Sequence, residues 1–162
     1  MHKPLQTKTL VFLFAVSVLF TGCYSTLEVV SQNYKYDNDI TFTIDKVQEG
    51  TNISTGNGYY YARKDSKFVF LYISLKNNSD EKKELDFGNF YLLEPKSHTK
   101  YKVEFAMLES AVNMFGHVNS EIKRNDTKKR KLVFTFPQNE KAEMLSVNDI
   151  IYNIHYSGSA NN

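Results

Sequence analysis

The side chains best suited to metal binding are scattered along this 162-residue sequence. The histidines are His2, His98, His117 and His155. Only His117 has a carboxylate at a spacing that a metal site could use, because Glu121 follows it by four residues. That spacing suits a helix, whereas a strand separates the two by about 13 Å. The run Asp37-Asn38-Asp39 offers oxygen ligands, but it is typical of a turn before a strand. We therefore predict no metal site.

The nucleophiles lack the surroundings that catalysis requires. Ser157-Gly158-Ser159 lies in a polar C-terminal tail and does not resemble the strand-to-helix turn of a nucleophile elbow. The sequence also has no glycine-rich phosphate-binding loop. We predict that the protein is not an enzyme and needs no cofactor. A pocket in the fold would favour the alternative, a small-ligand carrier or an envelope enzyme.

The only cysteine, Cys23, follows an N-terminal segment typical of a secretory signal peptide. Lys3 and Lys8 give a basic start, and the apolar run 10–20 spans about 16 Å as a helix. A membrane-spanning helix needs roughly 30 Å. The run is therefore too short to cross a bilayer, and we predict a signal peptide over residues 1–22.

The run Leu19-Phe20-Thr21-Gly22-Cys23 resembles the lipobox of bacterial lipoproteins, although Phe20 stands where that motif prefers leucine. The resemblance implies cleavage before Cys23 and a diacylglycerol, often with a further acyl chain, on Cys23. A membrane would then be one partner of the protein. The alternative is an ordinary signal peptide with a chance cysteine. We predict a lipid-anchored protein of the bacterial cell envelope, at the outer membrane or cell surface rather than the inner membrane.

Charge gives no sign of nucleic-acid binding. Lys3 and Lys8 are the only charged residues in 1–22, so the chain that follows has 18 basic and 18 acidic side chains. Nucleic-acid binding requires a strongly positive surface, and this balance argues against it. The length suits one domain, and one cysteine allows no intramolecular disulfide. Twelve Phe and eleven Tyr supply the volume of an apolar core.

Short strands separated by turn residues dominate the pattern after the signal peptide. Residues 40–44 alternate apolar and polar side chains, and residues 68–75 are apolar on both faces, which is typical of a central strand. Further strands are predicted at 27–30, 59–61, 85–87, 90–93, 101–105, 118–122, 132–136 and 150–156. Phe105, Leu108, Val112 and Phe115 follow helical spacing and predict a short helix over 105–115. We therefore predict an all-β protein: an immunoglobulin-like antiparallel β-sandwich with one short helix.

Several segments resemble the telokin-like, immunoglobulin-fold domain of bacterial lipoproteins and secreted antigens. They are a strand ending in Lys76-Asn77-Asn78, the hairpin of Phe90 to Leu93 with Tyr101, and a late strand closed by Pro137. The resemblance covers about residues 40–156 and implies a fold without catalytic residues. The predicted organisation is a lipidated N-terminus and short tether over 23–35, a sandwich over 36–157 and a frayed tail over 158–162.

Two runs could bind a partner. Tyr59-Tyr60-Tyr61 beside a glycine-rich loop suits recognition of a glycan or protein surface, although packing on a sheet would also explain it. Lys128-Lys129-Arg130-Lys131 could contact anionic lipid headgroups or an acidic polymer, although a solvated turn at a sheet edge is the simpler interpretation. We predict a non-catalytic binding or structural module that engages an envelope or host protein or glycan.

Overall fold

The computed structural model describes residues 24–55, 57–109 and 119–158, so the predicted signal peptide and Cys23 lie outside the described residues. Strands account for almost all regular structure in these ranges. They are β1 (Ser25–Leu27), β2 (Asn33–Lys35), β3 (Ile40–Gly50), β4 (Asn52–Ser54), β5 (Tyr59–Tyr61), β6 (Ser66–Asn77), β7 (Lys83–Glu84), β8 (Phe90–Leu93), β9 (Lys100–Lys102), β10 (Phe105–Leu108), β11 (Glu121–Ile122), β12 (Thr127–Pro137), β13 (Met144–Val147) and β14 (Ile150–Asn153).

The strands form a β-sandwich, and every strand pair is antiparallel. The main sheet has the order β1-β3-β6-β12-β10, with β2 pairing β3 beside β1. The second sheet has the order β14-β13-β8-β9. Two small pairs, β4–β5 and β7–β11, complete the fold. The prediction of an all-β antiparallel sandwich is confirmed.

The central strand β6 is apolar on both faces, as its sequence predicts. Val69, Leu71 and Ile73 point into the sandwich, while Phe68 and Phe70 point to the opposite, outer face of the main sheet. Both sets are almost completely buried. Burial of a large apolar side chain contributes about 1.5–3 kcal/mol, so both faces of β6 stabilise the fold. Because the two faces lie in different clusters, β6 joins two separate cores.

The larger core fills the space between the two sheets with aromatic rings. Phe42 of the main sheet meets Phe90 of the second sheet with ring centroids 5.7 Å apart, and Tyr34 stacks on Phe42 at 5.2 Å. Towards the other end, Tyr101 meets Phe136 at 5.0 Å. Rings packed at these distances occupy the volume that a ligand pocket between the sheets would need there.

The smaller core lies on the outer face of the main sheet, under the hairpin β4–β5. Its members are Ile53, Phe68, Phe70, Met107 and Val133. The hairpin covers this end of the outer face, and the other end of that face carries polar side chains. The boundary between these two ends positions the candidate site.

The predicted helix over 105–115 is wrong for its first turn. Phe105–Leu108 is strand β10, which pairs antiparallel with β12. Phe105 and Met107 pack into the smaller core while Ala106 packs against the larger one, so the segment follows a period of two. The rest of the prediction, residues 110–115, lies outside the described residues. Within the described ranges the only helical turn is a short 3-10 segment, Phe87–Asn89, and no helix is long and apolar enough to span a membrane.

Most of the segment predicted as a tether, 23–35, lies against the sandwich. β1 pairs the far end of β3 and β2 pairs its beginning. The Tyr34 side chain is buried, and its hydroxyl donates a hydrogen bond to the Asn153 carbonyl at 3.0 Å. Val29 bridges Tyr156 near the C-terminus. Both strands of this segment pair with β3, and the Val30 N–H donates to the His155 carbonyl at 2.7 Å, so the folded domain begins close to Cys23.

Candidate functional site

The outer face of the main sheet carries a groove of about 420 Å³ at the edge of the hairpin β4–β5. We call it the tyrosine–lysine groove; its lining residues are Tyr24, Gln48, Ile53, Ser54, Tyr59, Phe70, Tyr72 and Lys131. They come from the N-terminus, β3, the hairpin, β6 and β12. Antiparallel pairing of the long strands brings these distant segments together.

Tyr24 forms one wall because Gly50 leaves space for its ring. A Cβ atom at position 50 would lie 2.6 Å from Cδ1 of Tyr24, which is closer than carbon atoms approach without overlap. The Tyr24 hydroxyl donates to the Asn52 carbonyl at 2.8 Å, and the ring meets the Phe70 ring edge-on at 5.6 Å. The residue that follows Cys23 is therefore fixed to the sheet.

Tyr72 forms the floor between two lysines. The Nζ of Lys46 lies 4.1 Å from the ring centroid and the Nζ of Lys131 lies 5.9 Å from it, both within cation–π range. The Tyr72 hydroxyl donates to Oε1 of Gln48 at 2.7 Å. Burial raises the pKa of Tyr72, so the phenol stays neutral at physiological pH. Burial, and then the nearby charge of Lys46, lowers the pKa of Lys131.

The hairpin distributes its three tyrosines over two faces. Tyr60 points to the sheet, where its ring lies 5.7 Å from Phe68 and 6.4 Å from Phe105. Tyr59 and Tyr61 are 63% and 64% exposed, with ring centroids 6.3 Å apart. Strand alternation explains the division. Packing accounts for Tyr60, and Tyr59 and Tyr61 are available for contact.

The simpler interpretation of the basic run Lys128–Lys131 predicted a solvated turn, and the structure shows a strand instead. It lies in β12, paired on one side with β6, and its last two residues also face β10. Successive side chains of a strand point to opposite faces. Lys131 therefore lines the groove and Lys129 lies on the same face, 3.7 Å from the Glu109 carboxylate. Lys128 and Arg130 have the opposite orientation, so the run is not one basic patch.

Arg130 is buried and donates to the carbonyls of Lys129 and Asn119, each at 2.8 Å. No carboxylate of the described residues forms an ion pair with it, and its Nε has no hydrogen-bond partner. Burial lowers the pKa of its guanidinium. Arg130 therefore holds backbone in place and does not face the groove.

The residues considered for metal binding lie apart. His98 is in an exposed turn with φ of 56°, and His155 is exposed near the C-terminus. His2 and His117 lie outside the described residues. The Asp37 carboxylate accepts from the backbone N–H groups of Asp39 and Ile40, both at 2.7 Å, as a turn requires. Across the part of the chain that the structure describes, no three such side chains could share an ion.

A second depression of about 390 Å³ lies where the N- and C-terminal segments meet. Lys141, Glu143, His155 and Tyr156 contribute to its lining. The charges here satisfy one another, because Lys141 pairs with Glu143 at 3.3 Å and its Nζ lies 4.2 Å from the Tyr156 ring. This arrangement suits contact between the chain termini rather than capture of a ligand.

The tyrosine–lysine groove combines aromatic faces, phenol hydroxyls and ammonium groups. Tyrosine rings and hydroxyls offer apolar and hydrogen-bonding contacts, and ammonium groups attract anions. Tyr24, Lys46 and Tyr72 were not predicted as site residues from the sequence. The alternation of residues 68–75 could have placed Tyr72 on the same face as Phe70, whereas nothing local indicates that Tyr24 reaches this face.

Two solved structures resemble the fold. A conserved hypothetical protein from Bacillus anthracis matches with a TM-score of 0.63 and 15% identity, over 85% of this chain and 99% of that one. An uncharacterized β-sandwich protein from Clostridium difficile matches with a TM-score of 0.55 and 14% identity, over 80% and 91% of the two chains. These identities show a shared fold only. No curated protein matches this chain.

A family model covers most of the chain. It matches residues 32–156, which include β2 to β14. The match begins after the β1 strand and after Tyr24, so the groove residues of β3 to β12 are inside it and Tyr24 is outside. The chain belongs to the family described as Domain of unknown function (DUF4352).

Proposed function

We propose that this protein is a lipid-anchored module of the bacterial cell envelope that binds an anionic or glycan-like partner through the tyrosine–lysine groove without catalysing a reaction. The observation that carries the proposal is the convergence of Tyr24, Tyr59 and Tyr72 with Lys46 and Lys131 on one face. The telokin-like resemblance inferred from the sequence implies a fold without catalytic residues. The anchor would be the acylated Cys23, as the lipobox-like run suggests.

The anchor is tested by mass spectrometry of the mature protein. We expect the first residue to be Cys23, carrying the mass of a diacylglycerol with or without a further acyl chain. In Cys23→Ser that modification is lost, and the protein should no longer be processed as the parent is. A mature chain that starts elsewhere, or an unmodified Cys23, would refute the anchor.

Binding is tested with variants of the groove against a matched control. Tyr59→Ser combined with Lys46→Gln removes one exposed ring and one charge, and each loss should weaken binding by about 1 kcal/mol. Tyr91→Ser on the second sheet is the control, because its ring also lies near a lysine, at 5.4 Å from the Nζ of Lys100. We expect the double variant to bind acidic glycans and anionic vesicles more weakly than the parent does. The Tyr91→Ser control should bind them as tightly as the parent. Equal binding by all three proteins would exclude the groove as the site.

A further inference from the structure

The attachment of Tyr24 determines which face of the domain lies next to the anchor. Tyr24 is held by its hydrogen bond to Asn52 and by its contacts with Gly50 and Phe70. Consecutive Cα atoms are about 3.8 Å apart, so Cys23 starts within one residue of this fixed point. Any lipid on Cys23 therefore enters the bilayer beside the tyrosine–lysine groove, with no flexible linker between them.

The surface around that point has the chemistry of a membrane interface. Tyr24, Tyr59 and Tyr61 are exposed, and tyrosine is enriched at the level of lipid headgroups because its ring is apolar and its hydroxyl is polar. Exposed Arg63 and Lys64 follow the hairpin directly. Cations beside interfacial aromatic residues are typical of surfaces that contact anionic lipid.

The charges of the outer face have a positive excess. The face carries five lysines and two carboxylates: Lys35, Lys46, Lys76, Lys129, Lys131, Asp45 and Glu109. The chain from residue 23 onwards is neutral overall, so the positive excess on this face is balanced by negative charge elsewhere. A lysine near an anionic leaflet gains about 1 kcal/mol, or about fivefold in the docked-to-undocked ratio.

We infer that the outer face of the main sheet docks on anionic phospholipid headgroups around the protein's own lipid anchor, with Tyr59 and Tyr61 at the interface. This inference rests on the proposed anchor at Cys23 and names the partner of the proposed groove. The tether makes docking intramolecular, so a modest affinity for headgroups is sufficient. A soluble acidic glycan would lack this advantage. The bilayer is therefore the partner that the position of Tyr24 favours.

The absence of tryptophan from the sequence permits a direct test. Two variants of the mature lipoprotein are compared. The first carries Tyr61→Trp, and the control carries Ile151→Trp, because Ile151 is 52% exposed and lies on the second sheet. Each protein is reconstituted into vesicles of phosphatidylcholine, alone or mixed with phosphatidylglycerol, with brominated acyl chains as quenchers. We expect blue-shifted, quenched emission from residue 61 in the anionic vesicles and unquenched emission from residue 151. Adding Lys46→Gln should lower the docked-to-undocked ratio about fivefold.

The outcomes separate the two proposals. A protein without acyl mass that does not float with vesicles would refute the anchor, and with it this inference. An acylated, vesicle-bound protein with water-like emission from residue 61 would overturn the docking alone. Equal quenching in neutral and anionic vesicles would also overturn it, because the lysines would then have no role. A response of residue 61 to hyaluronate without vesicles would assign the face to a glycan instead.

Discussion

The contact between Gly50 and Tyr24 provides a sharp test of how the start of the folded domain is held on the main sheet. In Gly50→Ala the added methyl would lie 2.6 Å from Cδ1 and 2.7 Å from Cε1 of Tyr24. The backbone at Gly50 has no positive φ, so alanine is acceptable there except for this contact. The Tyr24 ring is 46% exposed and has space to swing into solvent. We expect the substitution to detach Tyr24 and leave the rest of the sheet unchanged.

The expected loss of stability follows from the contacts of that ring. Its hydrogen bond to the Asn52 carbonyl contributes about 1 kcal/mol, and its edge contact with Phe70 contributes about 1 kcal/mol. Replacing glycine restricts the unfolded chain and returns about 0.5 kcal/mol. The free energy of unfolding should therefore fall by about 1.5 kcal/mol. Urea unfolding of the chain from residue 23, with Cys23→Ser, measures this difference.

A second background shows whether Tyr24 is the cause. In Tyr24→Ala, the ring that opposes the methyl is already gone, so Gly50→Ala should now stabilise the protein by about 0.5 kcal/mol. The two substitutions are thus expected to be strongly non-additive. Equal destabilisation by Gly50→Ala in both backgrounds would refute the reasoning, because the cost would then arise in the sheet itself.

Three further predictions concern buried polar groups, and urea unfolding measures each. Asn77→Ala should lower the free energy of unfolding by about 2–3 kcal/mol, because the buried amide donates to three backbone carbonyls; a loss below about 1 kcal/mol would contradict this. Lys67→Met should cost about 2 kcal/mol by leaving the half-buried Glu49 without its 2.8 Å partner, and adding Glu49→Leu should recover most of that loss. Burial raises the pKa of Tyr156 above its usual 10.0, so the stability from its neutral phenol is complete below pH 10 and is lost as the pH rises further. Tyr156→Phe should reduce this alkaline loss, and an unchanged pH profile would show that Tyr156 does not cause it.

Strands whose apolar side chains follow a clear period could be predicted from the sequence. Short strands that depend on pairing with a distant segment could not. The alternation at Ile40–Ile44 and the apolar run Phe68–Leu75 each indicate the core of a long strand, β3 and β6. Strand β13 was missed because Met144–Val147 is short and follows a charged stretch. Its signal was the turn Asn148-Asp149, where both residues have positive φ and join β13 to β14 as a two-residue hairpin loop.

Phe105–Leu108 was misassigned for a related reason. Spacings of three and four residues among Phe105, Leu108 and Val112 satisfy a helix, and an alternating strand can contain the same apolar residues. The exposed edge of β12 decides between them, because pairing with β10 satisfies its backbone groups. That information lies some twenty-five residues away in sequence, and no local window contains it.

The tyrosine–lysine groove shows why a charged run is a poor guide to where its side chains lie. Lys128–Lys131 has four consecutive cations. Because side chains alternate along a strand, Lys129 and Lys131 lie on the outer face of the main sheet, and Arg130 is buried on the opposite face. The run therefore supplies half the charge that its composition suggests. A further lysine beside the groove, Lys46, comes from β3, and Lys46 and Lys131 both approach the ring of Tyr72 in β6. Strand pairing creates this face, so a change of register by one residue in β12 would abolish it while leaving the composition unchanged.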